Sequence, residues 1–271
     1  MTTGGGGPAT PGVRVGLGGG AGQPVLLLLH GMGATGDVWR GWAELLDDRW
    51  PGRWLAPDLP GHGGSTPLDR YSFDSFAAGL AGLLHPGDRV VVLGHSLGGA
   101  VGLALAGRGA GGAVGNGADL PGWSVERVIG LGVKVGWTPD ELAKTDALAA
   151  RPVVWYDSRA EAAQRYLRVS GLTGLLEPDD PAVDAGIVPD GDGRWRLAMD
   201  PRAFGVGAPE MARLLAAVAA PVLLARGEQD PMVADAELAR LARSTHTLPG
   251  LGHNAHVENP VAVLALLERP V

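Results

Sequence analysis

The chain has 271 residues, 45% of them hydrophobic, enough to bury one large core, and strand-helix chains of this length commonly form a single domain. A formal charge of −7 without a basic tract argues against nucleic acid or an anionic membrane surface as partner. Cysteine is absent, which removes any disulfide framework and any thiolate ligand, and no histidine and carboxylate cluster has metal-ligand spacing, so neither metal nor cofactor is expected.

In chain order, residues 1–11 are glycine-rich and read as a frayed head. Residues 1–22 contain no basic segment followed by an apolar one, and the densely apolar run 25–29 is too short to cross a bilayer, so a soluble, cytoplasmic protein is expected. Residues 13–17 and 25–29 read as strands, 39–46 as a helix, 53–56 as a strand and 74–84 as a helix. This alternation of short apolar runs with longer helical patterns is the signature of a parallel sheet wrapped by helices.

Then comes Val90-Val91-Val92-Leu93-Gly94-His95-Ser96-Leu97-Gly98-Gly99, an apolar, mostly β-branched run that delivers a serine between two glycines and gives way to small, helix-compatible residues. The pattern G-x-S-x-G at a strand-to-helix turn is a nucleophile elbow: the serine backbone is strained, and bulky flanking residues would collide with strand or helix. Residues 109–122, rich in Gly, Ala and Asn, form a longer loop than a minimal connection requires, either a surface insertion or a mobile edge of the site. Residues 125–135 read as the next strand.

From 138 to 204 the rhythm breaks. Residues 139–150 and 158–169 read as helices, the second with Ala160, Ala163 and Leu167 on one face, and 177–193 is rich in Asp, Pro and Gly. The pattern resumes with a helix at 209–219 and a short buried strand at 221–226, whose following turn holds Asp230. A last strand, 244–248, leads into a loop carrying His253 and His256.

A serine hydroxyl is a poor nucleophile at neutral pH; it needs a base, and the base needs a carboxylate to fix its tautomer. Ser96, Asp230 and His253 all follow strands that would be parallel, so they share one sheet edge. Asp230 has a simpler reading as the cap of a helix beginning near Pro231, and Asp140 is the carboxylate nearest the end of the 133–137 stretch. His256 competes with His253, but its place in a helical stretch suggests packing.

Four motifs in this order resemble the α/β-hydrolase superfamily in its ester-hydrolase-like branch: His30-Gly31-Met32-Gly33 after a strand, the turn Asp58-Leu59-Pro60-Gly61-His62-Gly63-Gly64-Ser65, the elbow, and Gly252-His253 with Glu258-Asn259-Pro260. The resemblance implies an α/β-hydrolase fold with a mostly parallel central sheet, a core of 1–137 and 205–271, and a helical cap at 138–204. It places oxyanion-hole amides at Met32 and Leu97 and loop-holding histidines at His30, His62 and His95. Trp137, Trp155 and Tyr156, with Leu172 and Leu175, are expected either to line an apolar pocket or to glue cap to core.

The implied activity is that of a serine hydrolase taking a small or medium-sized, mostly apolar carboxylic ester, with no partner beyond the small-molecule substrate. Lactone, thioester and carbon–carbon bond hydrolysis and a cofactor-free perhydrolase or haloperoxidase activity use the same triad. Carbon–carbon hydrolases often carry tryptophan where Asn254 stands, and Ser96 disfavours dehalogenases and epoxide hydrolases, whose elbow holds aspartate. A non-catalytic ligand-binding or accessory protein is the reading from a different class.

Overall fold

The computed structural model describes residues 12–109, 122–242 and 244–269; the expected frayed head and nearly all of the 109–122 loop lie outside them. The strands are β1 (Val15–Gly19), β2 (Val25–Leu29), β3 (Trp54–Pro57), β4 (Arg89–His95), β5 (Ser124–Leu131), β6 (Ile187–Pro189), β7 (Trp195–Leu197), β8 (Val222–Gly227) and β9 (Ser244–Leu248). The helices are α1 (Ala43–Arg49), α2 (Phe73–Ala81), α3 (Leu97–Gly109), α4 (Pro139–Ala149), α5 (Arg159–Val169), α6 (Pro181–Asp184), α7 (Met211–Ala217), α8 (Asp235–Leu241), α9 (Ala255–Glu258) and α10 (Pro260–Leu264).

Seven strands make one sheet in the order β1-β3-β2-β4-β5-β8-β9, parallel except for β1, which pairs antiparallel with β3. β2 reads Val-Leu-Leu-Leu-Leu and is buried throughout because both sheet faces are covered. The period-2 alternation divides its side chains between two cores. Val25, Leu27 and Leu29 join Val90, Val92, Phe76 and Leu105 on one face, while Leu26 and Leu28 join Val91, Leu93, Trp39 and Trp42 on the other.

The structure differs from the sequence reading at several places. The expected first helix begins as a 3-10 turn, Gly36–Trp42, and becomes α-helical only at Ala43. β5 stops at Leu131, short of residue 135, because Gly132 turns the chain at φ 63 and donates its amide to Ala225 O. The Asp, Pro and Gly-rich stretch contains a hairpin, β6 with β7, whose turn is tied by Asp190 Oδ1 accepting the Asp192 and Arg194 amides. On α5 the buried face is Ala162, Ala163, Tyr166 and Leu167, whereas Ala160 is exposed. That face enters the same core as Leu26, Leu28 and Trp39, so the 138–204 interval is anchored on the sheet.

The turn after β3 is organised by a fully buried carboxylate. Asp58 accepts from the Gly36 amide at 2.8 Å, the Gly64 amide at 2.9 Å and the Arg14 guanidinium at 2.8 Å. It thereby joins Arg14, which precedes β1, to the start of the 3-10 turn and to the turn after β3. Asp58→Ala leaves the buried Gly36 amide without its acceptor and removes the partner of the Gly64 amide and of the Arg14 guanidinium, and is expected to lower unfolding free energy by about 2 kcal/mol. Urea denaturation at neutral pH measures this; a loss below about 1 kcal/mol contradicts the assigned role.

Candidate active site

β4 delivers the chain into α3 through Ser96, whose φ of 51° makes it the one non-glycine residue in the left-handed region among the described residues. The strain is enforced by crowding on either side. A Cβ at Gly94 would lie 2.3 Å from Gly98 O, and one at Gly98 would lie 2.5 Å from Leu29 O. Only glycine lets α3 start this close to the ends of β2 and β4. The Ser96 amide is held by Leu131 O at 2.8 Å, so the next strand also fixes the turn.

The loop after β2 brings Met32 to the same place. Met32, Ser96 and Leu97 line one cavity of about 260 Å³. Neither the Met32 nor the Leu97 amide donates to a protein acceptor among the described residues.

From the turn after β8, Asp230 meets the loop after β9. Its Oδ2 accepts from His253 Nδ1 at 2.8 Å, and its Oδ1 accepts the Met232 amide at 2.8 Å. Asp230 is buried and is not a helix cap, because α8 begins only at Asp235 with Ala234 before it. Asp140 sits exposed in the first turn of α4.

The His253 ring is constrained from several directions. Its carbonyl accepts from His95 Nε2 at 3.0 Å, and a Cβ at Gly132 would lie 3.2 Å from the ring. The neighbouring Gly252 amide donates to Glu258 at 2.7 Å, and Asn254 donates to Gly171 O at 2.9 Å. With Nδ1 engaged, Nε2 is the nitrogen left without a protein partner among the described residues. No hydrogen bond joins it to Ser96 Oγ; the serine and the Asp230–His253 pair are connected through His95 and the Leu131-Gly132 turn.

The remaining histidines of this edge are buried and neutral. His30 Nε2 accepts the Leu59 amide, which assigns the ring proton to Nδ1, where it is donated to Gly31 O at 2.8 Å. Burial pushes the His30 imidazole down to about 4. It pushes His62, with His30 nearby, down to about 3 and His256 to about 3. His95 falls well below the ordinary histidine range for the same reason, reinforced by His256 and His253. His256 stacks 4.5 Å from Trp39 and 4.3 Å from His95, with no partner for either nitrogen among the described residues: it packs.

The aromatic expectations divide. Trp137 lines the Ser96 cavity. Trp155 does not: it is exposed, with Arg194 and Arg196 at 5.4 and 5.8 Å from its ring. Tyr156 pairs its backbone with Trp195 and lines a separate cavity, while Leu172 is core and Leu175 is exposed. Sequence reasoning missed Phe73, Val169, Phe204 and Met232 on the Ser96 cavity wall. The usable signal was scarcity, since two of the chain's three phenylalanines line it. Lys134, also on the wall, is ion-paired with Glu141 and sits 4.9 Å over the Trp137 ring. Among the described residues no group of three or more His, Asp or Glu side chains is placed to hold a metal ion, and no helix is long and apolar enough to cross a membrane.

Residues 26–266 match the profile of the Alpha/beta hydrolase family. The chain belongs to that family. Over 260 residues the hydrolase is 28% identical to the 2-succinyl-6-hydroxy-2,4-cyclohexadiene-1-carboxylate synthase of Serratia proteamaculans, covering 91% of this chain and 92% of that one. Four further curated relatives, three from Mycobacterium and one from Rhodobacter capsulatus, match over a segment only, and the chain spans 25 to 30% of their length. Among solved structures it is similar to the thioesterase domain from the curacin biosynthetic pathway, with TM-score 0.70, 20% identity and coverage of 93% and 94%. It is also similar to an M. tuberculosis esterase, with TM-score 0.69, 23% identity and coverage of 97% and 92%.

The neutral histidines give stability a defined pH dependence. Their folded-state values lie below the ordinary histidine value, so below pH about 6.5 the unfolded chain binds more protons than the folded one. Stability is full above that pH and is lost as pH falls toward 4, by about 1.4 kcal/mol per pH unit for each histidine held neutral. Urea midpoints are expected to be flat from pH 7 to 8 and to fall steeply from 6 to 4. His256→Phe, which removes a ring without polar partners, is expected to reduce that slope; a midpoint unchanged down to pH 5 contradicts the assignment.

Proposed function

We propose that this alpha/beta hydrolase cleaves a small or medium-sized, mostly apolar carboxylic ester through an acyl-enzyme on Ser96. The observation that carries the reading is the 2.8 Å contact between buried Asp230 and His253 Nδ1 at the sheet edge where Ser96 is held at φ 51°. Asp230 fixes the tautomer with Nδ1 protonated, leaving Nε2 as the base. His253 Nε2 takes the Ser96 hydroxyl proton as Oγ attacks the carbonyl carbon. The Met32 and Leu97 amides hold the oxyanion, and His253 returns the proton to the departing alkoxide. Water, deprotonated by the same nitrogen, then attacks the acyl carbon, and the proton goes back to Ser96 Oγ.

On this reading the 138–204 interval is the cap, since Thr145, Val169 and Phe204 line the Ser96 cavity together with residues of the sheet edge. The apolar wall supports an apolar acyl or alcohol group. The Serratia relative is named for a carboxylate-bearing product, which would favour a charged ligand instead. Here the cation on the Ser96 cavity wall, Lys134, is already neutralised by Glu141, which favours the uncharged ester. Lactones and thioesters present the same carbonyl chemistry, and a graded substrate panel ranks them against open esters.

Ser96→Ala is expected to lower kcat/KM on p-nitrophenyl butyrate by at least about 10⁴-fold with the thermal midpoint retained. Asp230→Asn, which keeps shape but reverses the hydrogen bond to Nδ1, is expected to cost about 10³ to 10⁴ in kcat. Turnover retained in purified, folded Ser96→Ala protein would remove Ser96 as the nucleophile.

A further inference from the structure

A second cavity lies under the same cap. It measures about 90 Å³ and is lined by Leu148, Tyr156, Leu197, Met199, Val169 and Phe204, together with an outer stretch of the 151–154 segment. Val169 and Phe204 also line the Ser96 cavity, so the two cavities meet at these two residues. Val169 ends α5 and packs directly on the oxyanion loop: a Cβ at Gly33 would lie 2.6 Å from Val169 Cγ1. Phe204 stands on the 3-10 turn Pro201–Val206, braced against α4, where a Cβ at Gly205 would lie 3.2 Å from Ala149 Cβ. The charged residues bordering the second cavity, Arg151 and Arg165, are exposed and half-exposed, which leaves the part nearest the wall apolar.

We propose that Phe204 and Val169 set the upper length of acyl chain that the Ser96 site accepts, by walling off a preformed apolar compartment into which longer chains would otherwise extend. This rests on the ester-hydrolase reading of Ser96. The physical basis is the value of each methylene moved from water into an apolar compartment, about fourfold in binding. Removing the Phe204 ring opens the two cavities to each other, and the gain goes only to chains long enough to pass the wall. A general loosening of the site would help short and long chains alike.

The test compares kcat/KM for p-nitrophenyl butyrate and p-nitrophenyl decanoate in wild type, Phe204→Ala, Val169→Ala and Phe204→Ala/Leu148→Trp. Leu148 touches the second cavity and not the first, so the tryptophan refills only the compartment beyond the wall. Phe204→Ala is expected to raise the decanoate-to-butyrate ratio by at least about tenfold, Val169→Ala to raise it less, and Leu148→Trp in the Phe204→Ala background to return it toward wild type. A ratio unchanged in folded Phe204→Ala protein, or a gain that Leu148→Trp leaves intact, overturns the inference while the hydrolase reading stands. Calorimetric binding of butyrate and decanoate anions to the same variants separates the two ideas. If no variant turns over any ester, the hydrolase reading falls, and the wall is still decided by whether Phe204→Ala shifts the decanoate-to-butyrate affinity ratio in the same direction.

Discussion

The crossing of α3 over the ends of β2 and β4 governs the chemistry-bearing part of this molecule. The helix can begin at Leu97 only because Gly94 and Gly98 leave no side chain between backbone segments that approach within ordinary contact. That closeness forces Ser96 to φ 51° and keeps the first α3 amides beside the Met32 loop rather than out in solvent. A strained, non-glycine left-handed residue persists only where its surroundings over-determine it, and here the Leu131 carbonyl and the tight start of α3 do so. The register of the parallel sheet then does the rest. Gly94 pairs with Gly130, Leu131 with Ala225 and Gly227 with Leu248, so the turns bearing Ser96, Asp230 and His253 all leave the sheet on one edge.

Around that edge the protein keeps charge under close control. Asp58 is fully buried, but two amides and a guanidinium satisfy it, and it serves to fix loops rather than to react. His30, His62, His95 and His256 are held neutral by burial, so each offers a fixed dipole or a packing surface in place of a titrating charge. His95 links this set to the candidate site, since its Nε2 holds the carbonyl of His253. The cost of so many neutral imidazoles falls on acid stability, which couples the fold's tolerance of low pH to the same residues that shape the site.

Much of this was legible from residues alone, and the limits have physical causes. The parallel strands are short apolar runs with no competing period, and the elbow is a turn whose backbone geometry restricts residue type, while the loops around His30 and His253 were readable as motifs through the family resemblance. The β6–β7 hairpin was missed because its turn residues, Asp190 to Gly193, dominate the local composition, and three-residue strands carry too little alternation to read. β5 was overextended because Val133 and Val135 continue a strand-like pattern, whereas the positive φ of Gly132 ends the ladder and brings the chain against His253. The cavity wall was the least legible part. Phe73, Val169, Phe204 and Met232 come from four separate elements or turns, and Trp155, expected either to line the pocket or to glue cap to core, is exposed beside two arginines. Which large side chain faces a cavity is set by tertiary packing that local pattern does not encode.

The central claim is that Ser96 is an activated nucleophile. It is tested most directly by treating the folded protein with a fluorophosphonate probe and locating the adduct by peptide mass spectrometry, with Ser96→Ala protein alongside. The account predicts a single adduct on Ser96, lost in the variant. A folded, soluble protein that stays unlabelled, or an adduct on another serine that persists in Ser96→Ala, would contradict it and favour a protein that binds its ligand under the cap without turning it over.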